Sequence, residues 1–312
     1  MNPESKALQT VLVDCLDVRE GENVLVVTDP TRHAIARRLT KQARELGAET
    51  VVAEMSERAG NGSEPPDHIA AAMLACDVMV APTAKSLSHT AARRAATDAG
   101  MRAATMPGIT EEMLVRTMGA DYGAIRRRSK SVADALSGGT EVHITNPEGT
   151  DVTFSIEGRS GLADDGDLRT RGSFGNLPAG EGFVAPVEGA TNGRIVFDGA
   201  ADGGELLVVT IENGRAIAFD GAAGERFRAV IEPHGPDAFS VAELGIGTNE
   251  AARLTGNVLE DEKVLGTIHV AFGDNHTFGG TVRVSSHMDR VVLRPSVLID
   301  GSLLLENGRL LV

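Results

Sequence analysis

Apolar residues recur at helical spacing between about 6 and 18, and the polar turn Glu20-Gly21-Glu22-Asn23 then leads into Val24-Leu25-Val26-Val27-Thr28. A run that is apolar at successive positions, not alternate ones, is what a strand buried on both faces requires. Asp29-Pro30-Thr31 ends this strand and is expected to cap a helix over about 32–46, which closes at Gly47 before a second strand, Thr50-Val51-Val52-Ala53. The cycle repeats with a helix at about 66–75, the strand Asp77-Val78-Met79-Val80, a helix at about 88–99 ending in Gly100, and the strand Met101-Arg102-Ala103-Ala104-Thr105. Pro107-Gly108-Ile109-Thr110 is placed to cap a helix at about 111–118, and one more helix runs to about 136. Strands alternating with helices predict a parallel sheet covered on both faces, a Rossmann-like α/β domain.

The pattern changes at Ser137-Gly138-Gly139. Short β-type runs follow, divided by Gly, Asp and Asn: 141–145, 151–156, 193–197, 206–211 and the tail from Ser296 to Val312, with one helix expected near 249–255. The reading is therefore an α/β protein with a Rossmann-like domain over 1–136 and a mostly antiparallel, β-rich (α+β) domain over 137–312. A chain of 312 residues is long enough for two cores.

Composition narrows the function. No GxGxxG follows the first strand, so the glycine-mediated approach to a dinucleotide phosphate is missing. The net charge of −14 and an aromatic content of 3% without tryptophan disfavour capture of nucleic acid by phosphate neutralisation or base stacking, and disfavour acidic membrane surfaces. Cys15 and Cys76 are too few and too far apart for a disulfide framework or a thiolate zinc site, and both are expected to be buried. The first residues lack a basic segment followed by an apolar run, and no stretch of 18 apolar residues occurs, so the expected location is the cytoplasm.

Candidate chemistry gathers in residues 241–301, where three of the eight histidines fall within twenty residues. On a strand, His287 and Asp289 would project from one face because side chains alternate. His269 lies in another strand-like run, 266–273, and Glu243 and Glu262 are near enough in sequence to complete a shell. Imidazole with carboxylate suits Zn²⁺, Mn²⁺, Co²⁺ or Fe²⁺. Taken singly each group has an ordinary reading. The His–x–Asp pair can be a surface hydrogen bond, His269 a core histidine, Glu262 in Glu260-Asp261-Glu262-Lys263 part of a solvated face, and Glu181 a loop carboxylate. Ser88 in Ser88-His89-Thr90 reads as a helix cap or as a residue reaching the cleft.

Four ordered blocks carry a family resemblance: Asn-Leu-Pro-Ala-Gly-Glu at 176–181, Ala-Glu-Leu-Gly-Ile-Gly-Thr-Asn at 242–249, the stretch 261–273, and His-Met-Asp at 287–289. In these the chain resembles the thermophilic aminopeptidase T/S metallopeptidases and the related non-haem iron 2,5-dihydroxypyridine dioxygenases. The expected function is that of the aminopeptidase, hydrolysis of N-terminal residues by a metal-activated water, with the dioxygenase as the alternative. The aminopeptidase resemblance implies that Glu181, Glu243, His269, His287 and Asp289 ligate two ions (Zn, Co or Mn), that Glu262 is the catalytic carboxylate, and that the substrate is a short peptide. It also implies a homodimer. A family tyrosine is replaced by His276, and the chain is shorter than usual. The dioxygenase resemblance implies one Fe(II) on Glu243, His287 and Asp289, a small aromatic-ring substrate, and acid–base roles for His269 and His276.

Overall fold

The computed structural model describes residues 2–199 and 203–312. These form two compact units, the first running to Gly123 and including Gly166–Ala179, the second comprising Ala124–Asp165 and Gly180–Val312.

In the first unit, α1 (Pro3–Gln9) runs into a π turn over Thr10–Cys15. Strands β1 (Asn23–Thr28), β2 (Glu49–Glu54), β3 (Val78–Thr83) and β4 (Arg102–Pro107) then alternate with α2 (His33–Glu45), α3 (Asp67–Leu74), α4 (Ala91–Asp98) and α5 (Glu111–Thr117). A short strand from later in the chain, Phe174–Asn176 (β8), completes a parallel sheet of order β2-β1-β3-β4-β8. Val24 to Val27 and Val78 to Ala81 are all buried, as two-faced strands require. Helix α2 covers one face with Ile35, Leu39 and Ala43, spaced four apart.

Two expected caps are corrected. Asp29 accepts from the Thr31 amide and hydroxyl and from the Ala84 amide, tying the end of β1 to that of β3, and α2 starts without a side-chain cap. Thr90, not Ser88, caps α4, while the Ser88 hydroxyl is buried against Thr105 and Asn176. Thr110 does cap α5. Cys15 is buried, but Cys76 only partly.

The second unit begins in α6 (Tyr122–Gly138) and adds β5 (Glu141–Thr145), β6 (Asp151–Ser155), β7 (Leu162–Asp164) and β9 (Glu181–Val184). After these come β10 (Asn192–Phe197), β11 (Leu207–Glu212), β12 (Arg215–Asp220), α7 (Gly221–Ile231), β13 (Val241–Gly247) and α8 (Val258–Asp261). The chain ends in β14 (Ile268–Gly273), β15 (His287–Val292), β16 (Ser296–Ile299), β17 (Ser302–Glu306) and β18 (Arg309–Leu310). Two antiparallel sheets result, of order β12-β11-β10-β6-β5-β16-β17-β18 and β15-β14-β13-β9-β7. One apolar cluster joins them, with Phe154, Phe197 and Val209 from the larger sheet and Leu244, Ile246, Val270 and Phe272 from the smaller.

The helix expected at 249–255 is absent. Side-chain carboxylates and amides capture its backbone N–H groups instead: Asn249 accepts from Ala251, Glu260 from Arg253, and Asp261 from Thr255 and Gly256. Helix α7 was not expected, because two glycines in its first turn hide a stripe of Ala223, Phe227 and Ile231. The units also divide differently from a single cut at 137, since most of α6 goes with the β-rich part and 166–179 with the α/β part. No helix among the described residues is long and apolar enough to cross a membrane.

Candidate metal centre

Alternation along the smaller antiparallel sheet sorts its residues by chemistry. On β13, Leu244 and Ile246 enter the core while Glu243, Gly245 and Gly247 face the other way; on β14, Ile268, Val270 and Phe272 enter the core and His269 and Ala271 do not. Register extends that second face across the sheet, pairing Asp164 with Glu181, Glu181 with Gly247, Gly245 with His269, and Ala271 with Asp289. Five adjacent strands thus deliver Asp164, Glu181, Glu243, His269, His287 and Asp289 to one side.

Such a face is normally solvated in a one-sided sheet, yet Glu181, Glu243 and His269 are buried. Two glycines make this possible. A Cβ on Gly245 would lie 2.1 Å from His269 Nε2, so a side chain there would collide with the imidazole in its present position. A Cβ on Gly247 would lie 2.0 Å from the Val264 carbonyl oxygen, so only glycine lets the Lys263–Val264 backbone cross there.

His269 Nε2 is 3.2 Å from both Glu181 Oε2 and Glu243 Oε1. One ring N–H cannot serve both, and Glu181 Oε2 is left buried without a hydrogen bond. His287 Nε2 is 3.4 Å from both Glu243 Oε2 and Asp289 Oδ1, while its Nδ1 donates to the Asp274 carbonyl at 2.7 Å. That second-sphere bond fixes the tautomer with Nε2 free to ligate. Two sets of potential ligand atoms therefore converge, Glu181–Glu243–His269 and Glu243–His287–Asp289, each set within 4.8 Å and sharing Glu243. The orphaned oxygen and the carboxylate–imidazole donor set both fit a divalent cation.

Glu262 does not lie on a solvated face: Glu260, Asp261, Glu262 and Lys263 are all buried. Lys263 Nζ sits 2.5 Å from Glu181 Oε1, 2.9 Å from Glu262 Oε1 and 3.2 Å from Asp164 Oδ2. Lys263 and Asp164 were not singled out in the sequence, where the lysine of an acidic run gives no sign of burial and Asp164 stands in an Asp- and Gly-rich loop. His276 is in the segment after β14 with Nδ1 2.8 Å from the Asp274 carboxylate. Among the described residues, no hydrogen bond or ion pair joins it to the five ligand candidates.

Burial, reinforced by the negative charges of Glu181 and Asp289, pushes the Glu262 carboxyl up to about 8 despite Lys263. Asp164 is pushed up to about 7, again mainly by burial. Burial opposes charge on His269, but its bond to Glu243 and the nearby carboxylates outweigh it and raise the ring to about 9. Burial likewise opposes ionisation of Asp289 and Glu243, and is outweighed by His287 and His269, which hold both carboxyls low.

A stability prediction follows from the signs. His269 and Glu262 bind protons more tightly when folded, so folded-state stability falls as pH rises from each ordinary value, 6.5 and 4.5, through about 9 and 8 respectively. Metal-free protein is expected to melt at a lower temperature at pH 9 than at pH 6.5. Added divalent metal, which competes with these protons, should narrow that difference in thermal melts.

The model of the 2,5-dihydroxypyridine 5,6-dioxygenase family, NicX, matches residues 5–312. The chain belongs to this family. A solved 2,5-dihydroxypyridine dioxygenase from Pseudomonas putida KT2440 superposes with a TM-score of 0.86 at 17% identity, covering 100% of this chain and 98% of that one. AmpT from Thermus thermophilus superposes at 0.75 with 18% identity, covering 99% of each chain. At these identities the two structures establish a shared fold. A search of curated proteins finds no match. Membership makes the chain one of an enzyme family.

Proposed function

We propose that this protein is a metal-dependent dioxygenase that opens a dihydroxypyridine-type ring. The reading is carried by the Glu243–His287–Asp289 set, in which one neutral imidazole and two carboxylates would balance a single divalent ion and leave positions open. Full-length membership of the dioxygenase family supports it. Iron(II) held by these residues would supply the electron chemistry toward O₂ that side chains lack.

The remaining roles belong to the chain itself. Glu262, held through Oε1 by Lys263 beside Glu181, is placed to take a ring-hydroxyl proton. His269, fixed between Glu181 and Glu243, and His276, paired with Asp274, are the further candidate proton carriers. Lys263 keeps a fixed positive charge among Asp164, Glu181 and Glu262, which limits the repulsion between carboxylates packed so closely.

One observation favours a second reading. The Glu181–Glu243–His269 set could hold a second ion and shares Glu243 with the first set, as a two-metal aminopeptidase would need. Metal analysis together with two assays separates them. The dioxygenase reading expects about one iron per chain and O₂ uptake coupled to loss of 2,5-dihydroxypyridine absorbance. Release of amino acid from leucine anilide by protein holding about two Zn, Co or Mn, without O₂ uptake, would overturn it.

A further inference from the structure

We propose that Phe183 and Phe278 form an aromatic wall beside the metal ligands that selects a flat ring as the substrate; this rests on the dioxygenase reading above. The chain has only nine phenylalanines, one tyrosine and no tryptophan, and Phe154, Phe197, Phe227 and Phe272 are spent in the core. Phe183 and Phe278 are instead partly exposed.

Their placement follows from the same alternation that builds the centre. Phe183 lies two residues after Glu181 on β9 and pairs with Gly245, so it projects from the ligand-bearing face. Phe278 comes from the segment between β14 and β15. Its ring centroid is 5.7 Å from that of Phe183 and 5.8 Å from the His287 imidazole, with interplanar angles of 73° and 85°. Phe278 thus bridges a strand residue and a ligand by two edge-to-face contacts, the geometry aromatic quadrupoles prefer.

The segment carrying Phe278 is fastened in place. Glu188 accepts from the Thr281 amide and from Asn275 Nδ2 and pairs with Arg159, the buried Asn275 accepts from the Val282 amide, and Asp274 accepts from the Val284 amide. A ring-binding surface held this way loses little freedom when a substrate docks. A heteroaromatic ring gains from a wall of phenyl rings through stacking as well as area, whereas a peptide backbone gains area alone.

The test is anaerobic binding of 2,5-dihydroxypyridine to the metal-loaded protein by calorimetry, with wild type, Phe278→Ala, Phe278→Leu, Phe278→Tyr and Phe183→Leu. Phe278→Ala is expected to raise the Kd by roughly tenfold and Phe278→Leu by several-fold, with Phe278→Tyr near wild type, at unchanged metal content. In turnover the loss should appear in KM more than in kcat. Equal affinity for Phe278→Leu, Phe183→Leu and wild type would overturn the aromatic wall while leaving the dioxygenase reading intact. Failure of wild type itself to bind the ring would remove the reading beneath it. Phe278→Leu keeps an apolar side chain of similar reach, so weaker binding by that variant with an unchanged melting temperature reports on the aromatic ring and not on folding.

Discussion

Replacing His287 with alanine is expected to leave protein that folds but no longer retains divalent metal through dialysis, with turnover reduced by at least about 100-fold. The argument is geometric. His287 is the nitrogen donor of the Glu243–His287–Asp289 set, and the Asp274 carbonyl holds its Nδ1–H so that Nε2 points at the two carboxylates. Without the ring, Glu243 and Asp289 face each other across a gap with only oxygen donors, a set that favours harder and more weakly held ions. Elemental analysis after dialysis checks this; near-wild-type iron content in the variant would strike His287 from the ligand set.

Glu262→Gln is expected to separate chemistry from metal binding. The amide keeps the size of the side chain and an oxygen that can still accept from Lys263 Nζ, but it cannot exchange a proton. If Glu262 is the base, kcat should fall by about 10²- to 10⁴-fold while metal content stays unchanged. The limb of the pH–rate profile belonging to this carboxyl should disappear as well. An unaltered kcat would return Glu262 to a purely electrostatic role beside Lys263.

Most of the α/β unit was legible because β1 and β3 are apolar at successive positions and their helices are punctuated by Gly47, Gly100 and Thr110, all local signals. The placing of His287 and Asp289 on one face of β15 was legible for the same reason, since alternation along a strand puts them together. What escaped was set by distant partners. The acidic run at 260–263 reads as solvated because nothing local reveals that Glu260 and Asp261 bind backbone amides of 253–256, or that Lys263 reaches Asp164 and Glu181. The same capture of amides removed the helix expected at 249–255. Ser88 was offered as a cap when Thr90, two residues on, presents its hydroxyl to the Arg93 amide. Here two hydroxyl residues with His89 between them compete for one role, and tertiary burial of Ser88 against Thr105 decides it.

Strand β8 is supplied to the parallel sheet by residues that follow three strands of the other unit, pairing Ala103 with Phe174 and Thr105 with Asn176. The polypeptide therefore leaves the α/β unit, begins the β-rich one, and comes back before finishing it. No single break separates the two units cleanly: a fragment stopped at 137 would lack β8 and leave the margin of β4 unpaired, open to any extended segment it met. Any piece that keeps the whole parallel sheet must therefore carry β5 to β7 along with it.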